Sequence, residues 1–275
     1  MSAHDRARRV LVVGSANVDF TVAVPRLPAV GETVTGGTLL VNHGGKGANQ
    51  AVAARRLGAE VRFIACVGDD SSGRDIRAAL AAEGIGVEGV GVTREAATGT
   101  ALIVVDQAGR NQIAVAPGAN WRLSLEHVRA RADDFAWAQV VVCQLETSLE
   151  TLAWTLEEAR RRGVGTAIVT LGAEGAMAGT AQGEIHARAL PVSVVDTTAA
   201  GDAFNGALAA TVGGGNTLES ALRFANAAAG LACTRRGAQP SLPTRAEVDR
   251  LLGTQGRGGC EAGANEADGP FSAAC

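Results

Sequence analysis

Asp196-Thr-Thr-Ala-Ala-Gly-Asp202, running on into Ala203-Phe-Asn-Gly-Ala-Leu208, decides how the chain is read. The segment Val192 to Val195 before it predicts the end of a strand, the small residues a tight turn, and the run from Asp202 the start of a helix. Ala199, Ala200 and Gly201 carry little or no side chain, so their backbone N–H groups can lie close against a ligand. The first N–H groups of a helix have no intrahelical partner and sit at its positive dipole end, which suits a phosphate. Asp202 is the odd member. A carboxylate in a first helical turn is an ordinary cap. Inside an anion cradle, however, it repels the ligand unless it has a task. The task that chemistry offers is to take the proton of a hydroxyl attacking the phosphate.

Working outward, Val10 to Gly14 is a continuous apolar run ending in glycine, as a buried parallel strand does. Asn17 and Asp19 come next, at its C-terminal end, where open α/β sheets bind ligands; a plain turn is the alternative. Residues 20–41 carry Pro25, Pro28, Gly31, Gly36 and Gly37, which suits short exposed strands and hairpins. Gly44, Gly45 and Gly47 open a helix, Ala48 to Leu57, with Lys46 and Asn49 as donors. Its glycines let backbone pack against a small polar ligand, or the stretch is a glycine-rich loop with a solvated lysine. It does not match the Walker A spacing.

Val61 to Val67 predicts another buried strand and Gly73 to Glu83 a helix, a βαβ series. Gly84 to Gly89 fits G-x-G-x-x-G formally, but it comes after a helix and opens none, so it is set aside. Thr100 to Asp106 and Gln112 to Ala116 predict a hairpin around Gly109. Ser124 caps a helix to Ala132. Val140 to Leu145 is a strand ending at Glu146, and Ser148 caps a helix to about Arg162. Thr166 to Leu171 is a strand, and Thr170 to Gly175 a turn after it. Asn216 with Glu219 predicts a reciprocal cap for a small-residue helix, Leu218 to Ala232. Glu247 to Leu252 closes a short helix. From Gly253 the tail loses apolar periodicity and is expected to be disordered.

The 275 residues are 47% hydrophobic and 19% charged, which marks a globular chain of one large or two small α/β domains. Aromatics are only 3%, so the core must be built from Ala, Val and Leu. A net charge of −3 gives no electrostatic case for nucleic acid or an anionic membrane. No run reaches the roughly 18 apolar residues of a membrane span. Arg6, Arg8 and Arg9 precede only a four-residue apolar run, too short for a signal peptide. Five scattered cysteines without C-x-x-C spacing fit free thiols in a cytoplasmic protein.

Three stretches together carry a resemblance: Asp196 to Phe204, Gly44-Gly-Lys-Gly-Ala-Asn-Gln-Ala-Val-Ala53, and Gly14-Ser-Ala-Asn-Val-Asp19. The chain resembles the ribokinase-like (phosphofructokinase-B type) sugar kinases from about Val10 to Leu252. The resemblance implies a Rossmann-type α/β sandwich. It would have a mostly parallel central sheet and a small β-sheet lid from about 20–41 and 98–116, in one domain over 1–252, with 253–275 a tail. It implies ATP-dependent phosphorylation of the 5-hydroxyl of a pentose, D-ribose above all, with Asp202 as general base. The sugar would meet Asn17, Asp19, Gly45, Lys46, Gly47, Ala48, Asn49, Glu146 and Asp202. ATP would meet Thr170, Leu171, Gly172, Ala173, Glu174, Gly175, Ala200, Gly201, Asp202 and Asn226. Magnesium would come with ATP. Potassium would sit among Asp196, Thr198, Ala232, Arg235, Gly237 and Ser241, and the lid would form a homodimer.

One departure stands against the family pattern. Two further strand–helix units, one with an N-P-A-P turn and one with an N-x-x-E motif, are expected after about Val164, where this chain has only Gly163-Val-Gly165. The central sheet is therefore expected to be two βα units short. Asn216-Thr-Leu-Glu219 is not counted as the missing motif, because it lies at a helix start. Two readings stay open: an active sugar kinase, or a non-catalytic sugar-binding remnant.

Overall fold

The computed structural model describes residues 7–108, 110–162, 167–170, 176–180, 183–212 and 216–257. The chain begins β1 (Arg9–Val13), β2 (Asn17–Ala23), β3 (Thr38–Gly44), α1 (Lys46–Arg56), β4 (Glu60–Gly68), α2 (Ser71–Ala82) and β5 (Gly86–Thr93). It continues β6 (Gly99–Val105), β7 (Asn111–Ala116), α3 (Leu125–Arg129), α4 (Ala132–Trp137), β8 (Val140–Cys143) and α5 (Leu149–Arg161). The last part is β9 (Ala167–Thr170), β10 (Ala176–Thr180), β11 (Gly183–Ala187), α6 (Ala200–Thr211), α7 (Leu218–Cys233) and α8 (Arg245–Arg257).

Four parallel strands form the central sheet in the order β5-β4-β1-β8. Val10 to Val13 and Phe63 to Ala65 are buried along their whole length, so both faces of the sheet are covered and the strands need no polar alternation. One face packs on α1, α6 and α7 through alanines such as Ala51, Ala54, Ala203, Ala207 and Ala225. The other packs Leu11, Val13 and Ile64 on Leu123, Val128 and Phe135, with Trp154 edge-on to Phe135 at 5.3 Å. The alanine-rich face lets helix backbones come close. A Cβ on Gly206 of α6 would sit 2.8 Å from the Gln50 carbonyl and 2.8 Å from the Ala54 nitrogen of α1.

The lid is a second four-stranded sheet in the order β3-β2-β6-β7, with β2 and β6 parallel and the outer pairs antiparallel. Asn17 and Asp19 belong to its first strand, not to a turn at the end of β1. Alternation along the pleat aims Asp19 and Thr21 of β2, Asn42 of β3, Ile103 of β6 and Ile113 of β7 at one hollow.

Several expectations are corrected. Val192 to Val195 forms no strand: it is extended chain whose end docks on α7, the Val195 and Asp196 amides donating to the Cys233 carbonyl at 2.8 and 3.2 Å. Val194 and Val195 consequently stay exposed. The helix from Ser124 stops at Arg129 and α4 restarts at Ala132, where Arg131 turns back to bond the Asp134 carboxylate at 2.6 Å. Thr217, not Asn216, caps α7, accepting from the Ser220 amide at 3.1 Å; Asn216 instead donates to the Thr211 carbonyl at 2.9 Å. The last helix runs to Arg257, so the tail does not begin at Gly253. Residues 258–275, the seam 163–166 and the turn 171–175 lie outside the described residues.

Strands β9 to β11 make a separate antiparallel sheet. Among the described residues, the edge of β8 away from β1 has no strand partner. Gly86 to Gly89 lies in β5, so that glycine pattern opens no helix, as expected.

Candidate active site

Glycine-made close contacts bring the two signature stretches together at the C-terminal end of the central sheet. Gly45 caps α1 at φ +87°, and a Cβ there would lie 2.8 Å from the Ala16 α-carbon and from the Asn17 nitrogen. A Cβ on Gly47 would lie 2.6 Å from the Ser15 nitrogen. The start of α1 is therefore pressed onto the β1–β2 crossing. Gly44 has no room for a side chain because the Asp19 carboxylate lies over its α-carbon.

Asp202 sits in the first turn of α6 and is 8% exposed. Its Oδ2 accepts from Asn49 Nδ2 and its Oδ1 from Gln50 Nε2, both at 2.9 Å. Burial pushes its carboxyl up to about 6, against the lowering bonds from Asn49 and Gln50; Glu146 adds to the rise and Lys46 opposes it. Asp19 is likewise pushed up to about 6, first by burial and then by the charges of Glu146 and Asp202. Glu146 behaves oppositely. Burial works to raise it, but Ser15 Oγ at 2.6 Å and Lys46, with Nζ at 3.0 Å, hold it below the ordinary range. Asn49 Oδ1 is buried without a hydrogen-bond partner, an acceptor left unsatisfied.

A hollow of about 190 Å³ runs between the lid and the loop after α7. Asp19, Thr21, Asn42 and Ile103 line one side and Asp196, Thr198 and Gly237 the other. It is smaller than the roughly 300–1,000 Å³ of sites for drug-sized ligands and mixes polar and apolar walls; of the expected sugar residues Asp19 lines it, while Asn17, Gly45 to Asn49, Glu146 and Asp202 do not.

On the far side of Asp202, the α6 N-terminus begins at Ala199, held at φ +61° in the left-handed region. A Cβ on Gly201 would meet nothing within 4 Å, so no packing demands glycine there and the space beside it is free. Of the other expected nucleotide residues, Thr170 ends β9, and Asn226 on α7 is buried with Nδ2 on the Arg188 carbonyl at 2.9 Å.

Of the six expected potassium residues, three are drawn together. The Asp196 carboxylate accepts from the amides of Thr198 and Gly237, each at 2.9 Å, and so ties two loops. Ala232, Arg235 and Ser241 are engaged otherwise: the Ala232 carbonyl accepts from the Arg235 amide, Arg235 pairs with Glu247, and Ser241 Oγ bonds the Ala238 carbonyl.

Sequence reasoning missed several residues that build the site. Asn120 accepts from the Ala16 amide at 2.9 Å and donates to Asn17 Oδ1 at 2.7 Å, fixing the β2 entrance from a loop far along the chain. Gln50, beside Asn49, and Gln144, at the end of β8, escape it as well; a buried amide at a strand's C-terminal end was the available signal.

A parallel sheet and a lid sheet meeting at a glycine-rich helix start, with a buried carboxylate in the first turn of a second helix, is the arrangement of a phosphotransferase of the sugar-kinase class. The chain belongs to the pfkB family of carbohydrate kinases, whose model matches residues 7–154 and 142–245. The ribokinase of Haemophilus influenzae is 32% identical to it over 301 aligned positions, covering 89% of this chain and 98% of the relative. A crystal structure of ribokinase from Thermotoga maritima matches with a TM-score of 0.76 at 30% identity, covering 89% of this chain and 99% of the other. Arabidopsis thaliana ribokinase complexed with ribose and ATP matches with a TM-score of 0.74 at 28% identity, over 90% and 99%.

Proposed function

We infer that this carbohydrate kinase transfers the γ-phosphoryl group of ATP to the 5-hydroxyl of D-ribose. The carrying observation is the Asp202 carboxylate, buried, raised to about 6, and set between sugar-side donors and an open helix N-terminus. Ribose would lie against Asn17, Asp19, the Gly45–Asn49 turn and Glu146, where unmatched analogues leave buried polar groups unpaired. Asp202 takes the hydroxyl proton as the new O–P bond forms, and ADP leaves. The amides of Ala200 and Gly201 and the α6 dipole face the transferring phosphoryl group. Thr170 to Gly175 and Asn226 would complete the nucleotide side. The likeness to ribokinases favours transfer over a sugar-binding remnant.

Magnesium would come with ATP, held mainly by its phosphates and water. That ion neutralises the β and γ oxygens when bound. Potassium would order the loops that Asp196 already ties to Thr198 and Gly237; Ala232, Arg235 and Ser241 would have to leave their present partners to join it. A homodimer through the lid is supported by the apolar surface of Leu39, Val41 and Leu102, which share the face of the sheet turned away from the hollow and are all more than half exposed. No helix among the described residues is long and apolar enough to cross a membrane. We place the protein in the cytoplasm, with residues 1–252 as one catalytic unit.

The test is a coupled ATPase assay with D-ribose, magnesium and potassium beside the Asp202→Asn protein. Ribose-dependent turnover, lost by about 10²–10⁴ in the variant, is expected. Ribose-independent hydrolysis, or a variant of near-normal rate, would overturn the assignment.

A further inference from the structure

Behind the catalytic carboxylate stands a chain of two buried side-chain amides. Gln50 on α1 is 2% exposed, and its Nε2 donates to Asp202 Oδ1 at 2.9 Å. Gln144, just past β8, donates from its Nε2 to Gln50 Oε1 at 2.7 Å. A carboxylate can only accept, so Gln50 must turn its nitrogen to Asp202 and its oxygen to Gln144. Gln144 must then present its own nitrogen, and its Oε1 is left buried without a partner. Such an orphaned acceptor is costly and uncommon in folded proteins. It lies tight over the α-carbon of Gly14, where any side chain would expel it.

We propose that Gln144 and Gln50 form a positioning relay that locks one face of the Asp202 carboxylate and orients its remaining lone pairs toward the substrate hydroxyl. This rests on Asp202 being the general base. The first reason is directional. Both amide dipoles point their donors toward Asp202, so each bond strengthens the next. The second is geometric. The close approach of α6 to α1 at Gly206 brings Asp202 within reach of both Asn49 and Gln50, one for each oxygen. The third is the lock itself. Without Gln144, Gln50 is free to rotate and set its oxygen against the carboxylate. The relay ties the base to the end of β8, so the last strand of the central sheet holds the reacting group without touching the substrate.

The experiment measures kcat/KM for ribose against pH in the parent, Gln50→Leu, Gln144→Leu and the double variant, with 13C titration of the Asp202 carboxyl in the sugar-free protein. The other charged groups around Asp202, namely Glu146, Lys46 and Asp19, are unchanged in all four. Loss of the Gln50 bond should raise the acid limb and the titration midpoint by about one pH unit. Gln144→Leu should raise them by about half a unit. The double variant should match Gln50→Leu, since the outer amide acts only through the inner one. A merely structural role would lower folded protein or rate at every pH and leave the midpoint in place. Midpoints within about 0.2 unit of the parent in folded Gln50→Leu and Gln144→Leu would overturn the relay. Should Gln50→Leu fail to fold, Gln144→Leu carries the same test. The titration reads the relay without turnover, whereas the Asp202→Asn assay reads the base, so the two failures are distinguishable.

Discussion

Replacing Asp19 with Asn should stabilise the sugar-free protein at alkaline pH while weakening its hold on sugar. Asp19 is 9% exposed and lies near Glu146 and Asp202. Its carboxyl moves from 3.8 to about 6, burial first, the two neighbouring charges next. A folded-state value above the unfolded one means the native state binds the proton more tightly. Stability therefore falls as pH rises through the window from 3.8 to about 6, and the full cost is present above it. Two pH units at about 1.4 kcal/mol each set an upper value of about 3 kcal/mol at pH 8, and water penetration and relaxation bring the expectation to about 1–3 kcal/mol. Asn keeps the shape and removes the charge. For a chain of this size each kcal/mol moves the melting midpoint by roughly 2–4 °C. Thermal melts of parent and variant at pH 8 and near pH 4 should show a gain at the first that shrinks at the second. Calorimetry should show ribose affinity falling about 10–100-fold, the worth of one hydrogen bond to a charged group. A variant less stable than its parent at pH 8, or a gain equal at both pH values, would refute the reasoning.

Gly44→Ala should displace the Asp19 carboxylate from the α-carbon it covers; steady-state kinetics should show KM for sugar rising well above tenfold with the fold intact by circular dichroism. Ala199→Gly should relieve a left-handed alanine and stabilise the protein by about 0.5–1 kcal/mol, read as a higher melting midpoint. In the parent, kcat/KM should rise with pH through about 6, because Asp202 works only in its charged form; a flat profile from pH 5 to 8 would contradict the base assignment.

The strands and helices built from continuous local patterns were legible. β1 and β4 are built on the apolar runs Val10 to Val13 and Phe63 to Val67, and α1 starts at its glycines. Val192 to Val195 misled because its apolar content satisfies a strand pattern, while its real partner is the Cys233 carbonyl at the end of α7, distant in sequence. Asn17 and Asp19 were read from their place just past β1; that they open a second strand is visible only from the lid's pairing. The place of Asp202 in the first turn of α6 was legible from the small residues before it. Its partners Gln50 and Gln144 were not, because the distance between them, 94 residues along the chain, is closed by packing that no local pattern encodes.

The contact of α6 with α1 has a mechanical consequence. Gly206 lets the two backbones touch, so Asp202 at the start of α6 moves with α1 and the glycine turn that opens it. The β9–β11 sheet, in which Thr170 ends β9, hydrogen-bonds to no strand of the other two sheets among the described residues. If the roles proposed above hold, a change in chain length between α5 and β9 would be taken up where β11 rests on α7 and would alter the gap between phosphoryl donor and acceptor, much as a vice keeps its fixed jaw while the other slides. Evolution or engineering can adjust that gap without redrawing the sugar pocket.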